Sequence, residues 1–372
     1  MGKSVGLVTI VGNFNYGNRL QNYAVASIYH ALGFESETLI CPKRSLVSVC
    51  RHLAADVLRD RATARPEEVM SKKRRESFLR FSSMIPTREV SPQIDGLSDS
   101  YDYFSVGSDQ VWNPNYVDSY PWVFLQFARD YQRVALAPSI GASKLSSPYA
   151  RHMLAKGLRG FNKLSVREIA GARLIKELTG QDATVVIDPT LMLSPDAWRK
   201  ASSFSEVPTG RYVLAYLLGS RTEEQNSYLE SLKKRYGATL ISLSDRSRKG
   251  EIDAGPAEFI GLIDNASHVV TDSYHAAVFS AMLQTPLTIF QRSGGSGPNL
   301  FSRLETFVEM FDASRNVYGS SSFNEDDSHV IQLDSDGRLA REREVLAKHL
   351  SESISICDNE TKKIAHGIDG LL

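Results

Sequence analysis

Cysteine is scarce in this chain: there are three in 372 residues, Cys41, Cys50 and Cys357, far apart and without metal-type spacing. That argues against a disulfide-stapled framework and favours a reducing compartment. Net charge is lacking as well. Lys+Arg and Asp+Glu both number 43, so no global field draws the protein to nucleic acid, and an anion site has to be local. No run of 18 apolar residues occurs, so no segment is expected to span a bilayer as a helix. The opening MGKSVGLVTIVGN reads as a strand rather than a secretory leader, and its Met-Gly start fits myristoylation poorly. The expected location is the cytoplasm. Ligand clusters of His, Asp and Cys are missing too, so no metal is called for.

What is present is an alternation of β-branched runs with helical periods, the mark of an α/β architecture. GLVTIVG reads as the first strand, and NRLQNYAVASIYHALG as an amphipathic helix closed by Gly33. YDYFSVGSDQ, RVALAPSIG, KLSVRE and ATVVIDPT read as further strands with polar ends. Open α/β sheets bind ligands at the carboxyl ends of their strands, so Asn13, Asp109, Arg167 and Asp188 form one candidate rim. A break near 193–210 predicts two Rossmann-like, doubly wound domains, 1–195 and 196–372. The second contains RYVLAYLLG, ATLISL, HVVTDS and PLTIF as strands, with helices over 222–235, 256–266 and 274–284. A last helix over 338–356 offers an apolar stripe of Leu339, Val345, Leu346 and Leu350.

Residues 42–88 depart from neutrality, with twelve Lys/Arg against five Asp/Glu. Leu46, Val49, Leu53 and Val57 fall there at helical spacing. A solvated helical excursion explains this; so does a basic amphipathic pair resting on an anionic membrane surface or lipid diphosphate, with Lys72, Lys73, Arg74 and Arg75 as its contacts.

Four stretches have the residue types for chemistry. GNFNYGNRLQN (12–22) is neither GxGxxG nor a P-loop. Free amides at the helix start still suit an anion, and Asn13, Asn18, Gln21 and Asn22 carry side-chain amides; equally, they serve the backbone. GSDQVWNP (107–114) places Ser108, Asp109 and Gln110 after a strand, with Trp112 as a flat face for a sugar or as core. LSVRE (164–168) ends a strand on Arg167, a bidentate anchor for carboxylate or phosphate unless Glu168 or Asp188 claims it. TDSYHAAVFS (271–280) puts Asp272, Ser273, Tyr274 and His275 at a strand-to-helix corner. There the helix dipole favours an imidazole available as a base, with Asp272 acting in the opposite sense. GGSGPN (294–299) is a glycine loop suited to a phosphate or to a plain turn.

NYGNRLQNYAV, GSDQVWNP, SVRE, DPTLML and TDSYHAAVFSAMLQTPL, in this order, resemble the polysaccharide pyruvyl transferase family. GPAEFIGLIDNASHVVTDSYH is the most specific piece, and the likeness runs from about Gly6 to the mid-310s. It implies two Rossmann-like domains facing across a cleft, similar to GT-B glycosyltransferases. It also implies phosphoenolpyruvate as donor substrate, with no separate cofactor, and a pyruvate ketal set on a sugar of a cell-surface polysaccharide, such as capsule or exopolysaccharide, or its lipid-linked precursor. By this resemblance Arg167 and His275 are the catalytic pair, with Ser273 and Tyr274 at the donor. Asn13, Asn18, Gln21, Ser108, Asp109, Gln110 and Trp112 bind the acceptor or complete the cleft. Ser273 stands where several members carry a second arginine, which puts the donor contacts in question. Peripheral membrane contact through 42–88 would suit a lipid-linked acceptor. Two other readings are a sugar-nucleotide glycosyltransferase, with Glu258 as its ribose acid, and a non-catalytic glycan-binding relative.

Overall fold

The computed structural model describes residues 3–41, 70–90, 96–115, 120–219, 221–243, 251–292, 302–325, 330–354 and 358–369. In the first domain, β1 (Ser4–Val8), β2 (Glu35–Ile40), β3 (Thr87–Glu89), β4 (Tyr103–Val106) and β5 (Arg133–Ala135) form a parallel sheet in the order β3-β2-β1-β4-β5. β6 (Leu164–Val166) and β7 (Ala183–Val185) pair separately. Ser165 helps join them to β5: its Oγ donates to the Ala135 carbonyl at 2.6 Å and accepts from the Ala137 amide at 3.0 Å. The second domain carries β8 (Tyr212–Tyr216), β9 (Thr239–Leu243), β10 (His268–Thr271) and β11 (Leu287–Ile289), all parallel, in the order β11-β10-β8-β9.

Several helices begin at a residue whose side chain accepts from a free backbone amide of the first turn. In the first domain α1 spans Tyr16–Ala31, α2 Lys72–Ser82, α3 Pro148–Leu158 and α4 Ile169–Thr179. The Asn15 side chain caps α1 by accepting from the Asn18 amide at 3.3 Å. α5 (Pro195–Ala201) lies inside the segment read as a break. α6 (Glu223–Tyr236), α7 (Pro256–Asp264), α8 (Tyr274–Met282) and α9 (Ser302–Met310) follow. A capping box between Thr222 and Gln225 starts α6, and left-handed Gly237 ends it. No helix among the described residues is long and apolar enough to cross a membrane.

Two features differ from expectation. α1 is not amphipathic in use: from Tyr16 to Tyr29 every residue is buried. The first sheet covers one side, and α7 with the Pro189–Met192 turn covers the other, so even Asn18, Arg19, Gln21 and Asn22 lie inside. The last long helix, α10 (Arg338–Ser353), expected within the second domain, packs on the first. Its His349 Nε2 donates to the Ala135 carbonyl at 2.9 Å, and Arg343 Nε donates to the Leu191 carbonyl at 2.8 Å. Leu339, Leu346 and Leu350 of its stripe are buried, whereas Val345 faces solvent.

One hydrophobic core runs through both domains, from Val5 and Leu7 of β1 to Leu214, Val269 and Leu287 of the second sheet. At the seam Tyr16 stacks between Phe78 and Phe259, with centroids at 5.4 and 4.5 Å, and its hydroxyl donates to the Ala254 carbonyl at 3.2 Å. The basic helix α2 belongs to this seam. Arg74 is buried against the Tyr16 and Phe78 rings, Lys73 pairs with Glu206 at 2.6 Å, and Arg80 with Glu258 at 3.0 Å. Arg74 therefore cannot be a membrane contact. Leu46, Val49, Leu53 and Val57, and the glycine loop 294–299, lie outside the described residues.

Candidate active site

The carboxyl ends of β4, β6 and β7 in one domain and the β10–α8 corner of the other meet at a single carboxylate. Asp188, just past β7, is fully buried. Its Oδ1 accepts from the Thr190 amide at 2.9 Å and the Thr190 hydroxyl at 2.7 Å. Its Oδ2 accepts from Ser108 Oγ at 3.2 Å and pairs closely with Arg167 Nη1. From the second domain, His275 brings Nε2 to 3.6 Å from the same Oδ2.

Burial alone would raise the Asp188 carboxyl. Arg167 and His275 override it and hold the group well below the usual carboxylate range. Burial likewise works against the Arg167 charge, and Asp188 outweighs it, so the guanidinium stays protonated. Arg167 also lies 4.9 Å from the Tyr274 ring centroid, a cation–π contact. Burial pushes the Tyr274 hydroxyl up, keeping it neutral. Despite these contacts, Arg167 Nε and Nη2 and His275 Nε2 are buried without a hydrogen-bond partner among the described residues. Unspent buried donors are costly and mark a place where a ligand's oxygen atoms fit.

The sequence places helix ends and glycines where this geometry needs them. His275 sits in the first turn of α8 and Gly17 in the first turn of α1, so two helix N-termini meet here. A Cβ on Gly17 would lie 2.1 Å from His275 Nδ1, so only glycine lets the helices approach this closely. Gly107, at φ +142, is required by another approach: a Cβ there would be 1.9 Å from the Leu136 carbonyl oxygen. Converging amino ends favour negative charge.

Several residues singled out from the sequence take other places. Asp272 is not the acid beside His275. It accepts from the Leu218 and Gly219 amides at 2.7 and 3.0 Å and faces Arg292, and Asp188 takes the position by the imidazole. Trp112 offers no face to a sugar: it is buried, stacked on Phe124 at 5.2 Å, and donates to the Val123 carbonyl at 3.2 Å. Gln21 is spent on structure, accepting from the Ser108 amide at 2.7 Å and donating to Thr9 Oγ1 at 2.8 Å. Ser108 is buried and donates to Asp188, and Asn18 is buried in α1. Glu168 makes no ion pair with Arg167 and acts on it only through space; its Oε1 takes the Ile140 and Gly141 amides at 2.7 and 3.0 Å. Ser273 is buried at the start of α8, its amide donating to Thr271 Oγ1 at 3.0 Å.

Asn13 and Gln110 are half-buried. Asn13 Oδ1 accepts from Ser82 Oγ at 2.8 Å, and Gln110 Oε1 accepts from Asn113 Nδ2 at 2.7 Å. Asp109 stays near the centre, its Oδ1 3.9 Å from Arg167 Nη2. Arg19 and Arg303 are buried cations of this region that sequence reasoning passed over. Burial pushes each down to about 10, and Asp109 opposes the shift in both. Arg19 lies within the 12–22 stretch, where the neighbouring amides drew attention instead, and Arg303 falls in no strand-end motif.

The polysaccharide pyruvyl transferase family model matches residues 15–294, three-quarters of the chain and every element of the Asp188 junction except α9. The chain belongs to the polysaccharide pyruvyl transferase family. No curated protein matches the sequence. Among solved structures, an alpha-glucosyltransferase in complex with UDP is 8% identical at a TM-score of 0.45, covering 98% of this chain and 95% of that one. S. aureus MnaA, in a co-structure with UDP, is 12% identical at 0.43, covering 96% and 98%. The UDP-GlcNAc 2-epimerase of Methanocaldococcus jannaschii, in complex with UDP-GlcNAc and UDP, is 12% identical at 0.41, covering 95% and 93%. In this family member, then, the histidine of one domain and the arginine of the other share one buried carboxylate.

Proposed function

We propose that this transferase moves the pyruvyl group of phosphoenolpyruvate onto two hydroxyls of one sugar in a glycan acceptor, free or lipid-linked, and releases phosphate. The observation that carries the reading is the convergence of His275 and Arg167 on Asp188 with donor atoms left unspent. A doubly anionic donor suits such a place, because the protein has no net charge to attract it from afar.

The chemistry balances without a metal or redox partner. A proton reaches the methylene carbon of the donor, C2 becomes electrophilic, and a sugar hydroxyl bonds to C2 and gives up its proton. The C2–O bond to phosphate then breaks, phosphate leaves carrying one proton, and the second hydroxyl closes the ketal as it loses its own. His275 is the acid/base, its Nε2 facing Asp188 Oδ2. Arg167 orients the donor, and Asp109, Gln110 and Asn13 complete the cleft toward the acceptor.

The sugar-nucleotide reading loses its marker residue. Glu258 is buried and committed to the Gly255 amide and Arg80, each at 3.0 Å, so it is not free to hold a ribose. Incubation with phosphoenolpyruvate and a panel of glycosides, free and lipid-linked, should release inorganic phosphate in an acceptor-dependent way. UDP release from a UDP-sugar, without phosphate release from phosphoenolpyruvate, would overturn the proposal. Binding of glycans with no turnover of either donor would favour a non-catalytic relative.

A further inference from the structure

Arg303 lies in the first turn of α9, beyond the stretch that matches the family. Its guanidinium centre lies 5.6 Å from the Tyr274 ring centroid, against 4.9 Å for Arg167 from the same ring. Both cations also face one oxygen: Arg303 Nη1 is 4.0 Å and Arg167 Nη2 is 3.9 Å from Asp109 Oδ1. Neither distance is a hydrogen bond. That oxygen already accepts from the Gln110 amide at 2.7 Å. Two buried guanidiniums thus share a carboxylate that serves neither closely.

Among the described residues no other carboxylate pairs with Arg303. Asp188 is occupied by Arg167 Nη1, Thr190 and Ser108, and Glu168 Oε1 by two amides and the Ser139 hydroxyl at 3.1 Å; Glu168 Oε2 makes no hydrogen bond and favours both guanidiniums only through space. Arg303 Nε joins Arg167 Nε and Nη2 as a buried donor without a partner among the described residues. Burial first, and then the Arg167 charge, push the Arg303 guanidinium down. Like charges held together out of water need an anion between them. Ser273, beside Tyr274 in sequence, carries no charge to contribute.

We propose that Arg303 is the second cation of the donor site. Arg167 and Arg303, both packed on Tyr274, hold the two anionic groups of one small ligand, one guanidinium to each. This rests on the phosphoenolpyruvate reading and extends it by naming the residue that answers the donor's second charge, supplied by α9 rather than by the β10–α8 corner.

Phosphoenolpyruvate is titrated calorimetrically into the wild-type chain, Arg303→Met and Arg303→Lys, and the transfer kinetics and ligand-free melting temperatures are measured alongside. For Arg303→Met, affinity should fall roughly ten- to a hundredfold, the range for losing a hydrogen bond to a charged group. The kinetic loss should appear in KM for phosphoenolpyruvate and not in KM for the acceptor, and lysine should restore part of it. The ligand-free melting temperature should hold or rise, because a repelled buried cation has been removed. A melting temperature that falls while phosphoenolpyruvate affinity stays within about twofold of wild type assigns Arg303 a structural role and overturns the proposal. If the wild-type chain itself does not bind phosphoenolpyruvate, the donor reading fails and this assignment with it, an outcome distinct from a binding wild type whose affinity ignores the substitution.

Discussion

His275 Nε2 stands 3.6 Å from Asp188 Oδ2, and this pair joins the two domains. The imidazole comes from the first turn of α8 in the second domain, the carboxylate from the end of β7 in the first. The proposed acid/base spans a seam and works only while that seam holds. Here it is held by a shared core and the Tyr16 stack.

Replacing His275 by Ala should lower turnover by about 10²–10⁴-fold, the usual worth of a positioned general acid or base. The chain should still fold, with a melting temperature lowered somewhat by the loss of a buried ring and its contact with Asp188. Phosphate-release kinetics and a thermal melt test this. An unchanged turnover removes His275 from the mechanism.

Gly17→Ala separates ordinary helix energetics from the site. In an open helix this change stabilises by about 1 kcal/mol. Here the added methyl meets His275 Nδ1 at 2.1 Å, so the imidazole has to move. Lower stability and lost turnover are expected together. A more stable, fully active variant would show that the two helix ends do not set the histidine.

Asp188→Asn leaves Arg167 buried without its closest counter-charge, and breaking such a pair costs about 3–5 kcal/mol at neutral pH. The folded carboxyl lies below its unfolded value. Its stabilisation is therefore complete above the unfolded value, about 3.9, and is lost as pH falls from there toward the folded one. Denaturant titrations of both chains should show the gap narrowing below about pH 4. A gap that persists unchanged into acid would mean that the carboxylate charge is not its source.

Trp112→Phe tests whether the indole meets a sugar. Stability should drop by about 0.5–3 kcal/mol through lost volume and the lost bond to Val123, with KM for the acceptor unaltered. A raised acceptor KM at unchanged stability would return Trp112 to the binding surface.

Much of the architecture was legible because α/β order is written in local period. The β-branched runs at 4–8, 103–106, 212–216 and 268–271 are strands, and the corner at Ser273–His275 is where a strand gives way to a helix. α2 is a different case. Its run of Lys and Arg looks the same whether it faces lipid or another domain, and only the packing of Arg74 on Tyr16 and Phe78 distinguishes the two. Trp112 and Gln21 are ambiguous in sequence for a related reason, since a polar or aromatic side chain near a strand end suits ligand and core alike.

By itself the sequence determined the strands, the caps, the strand-end positions of Arg167 and Asp188, and the family. These depend on neighbours a few residues apart. Only the tertiary structure decided that Asp188 rather than Asp272 accompanies His275, and that Arg303 joins Arg167 on Tyr274. Those partners are 87, 136 and 29 residues apart or more in the chain, or sit on different elements, and burial couples charges by distance in space, which no local pattern encodes.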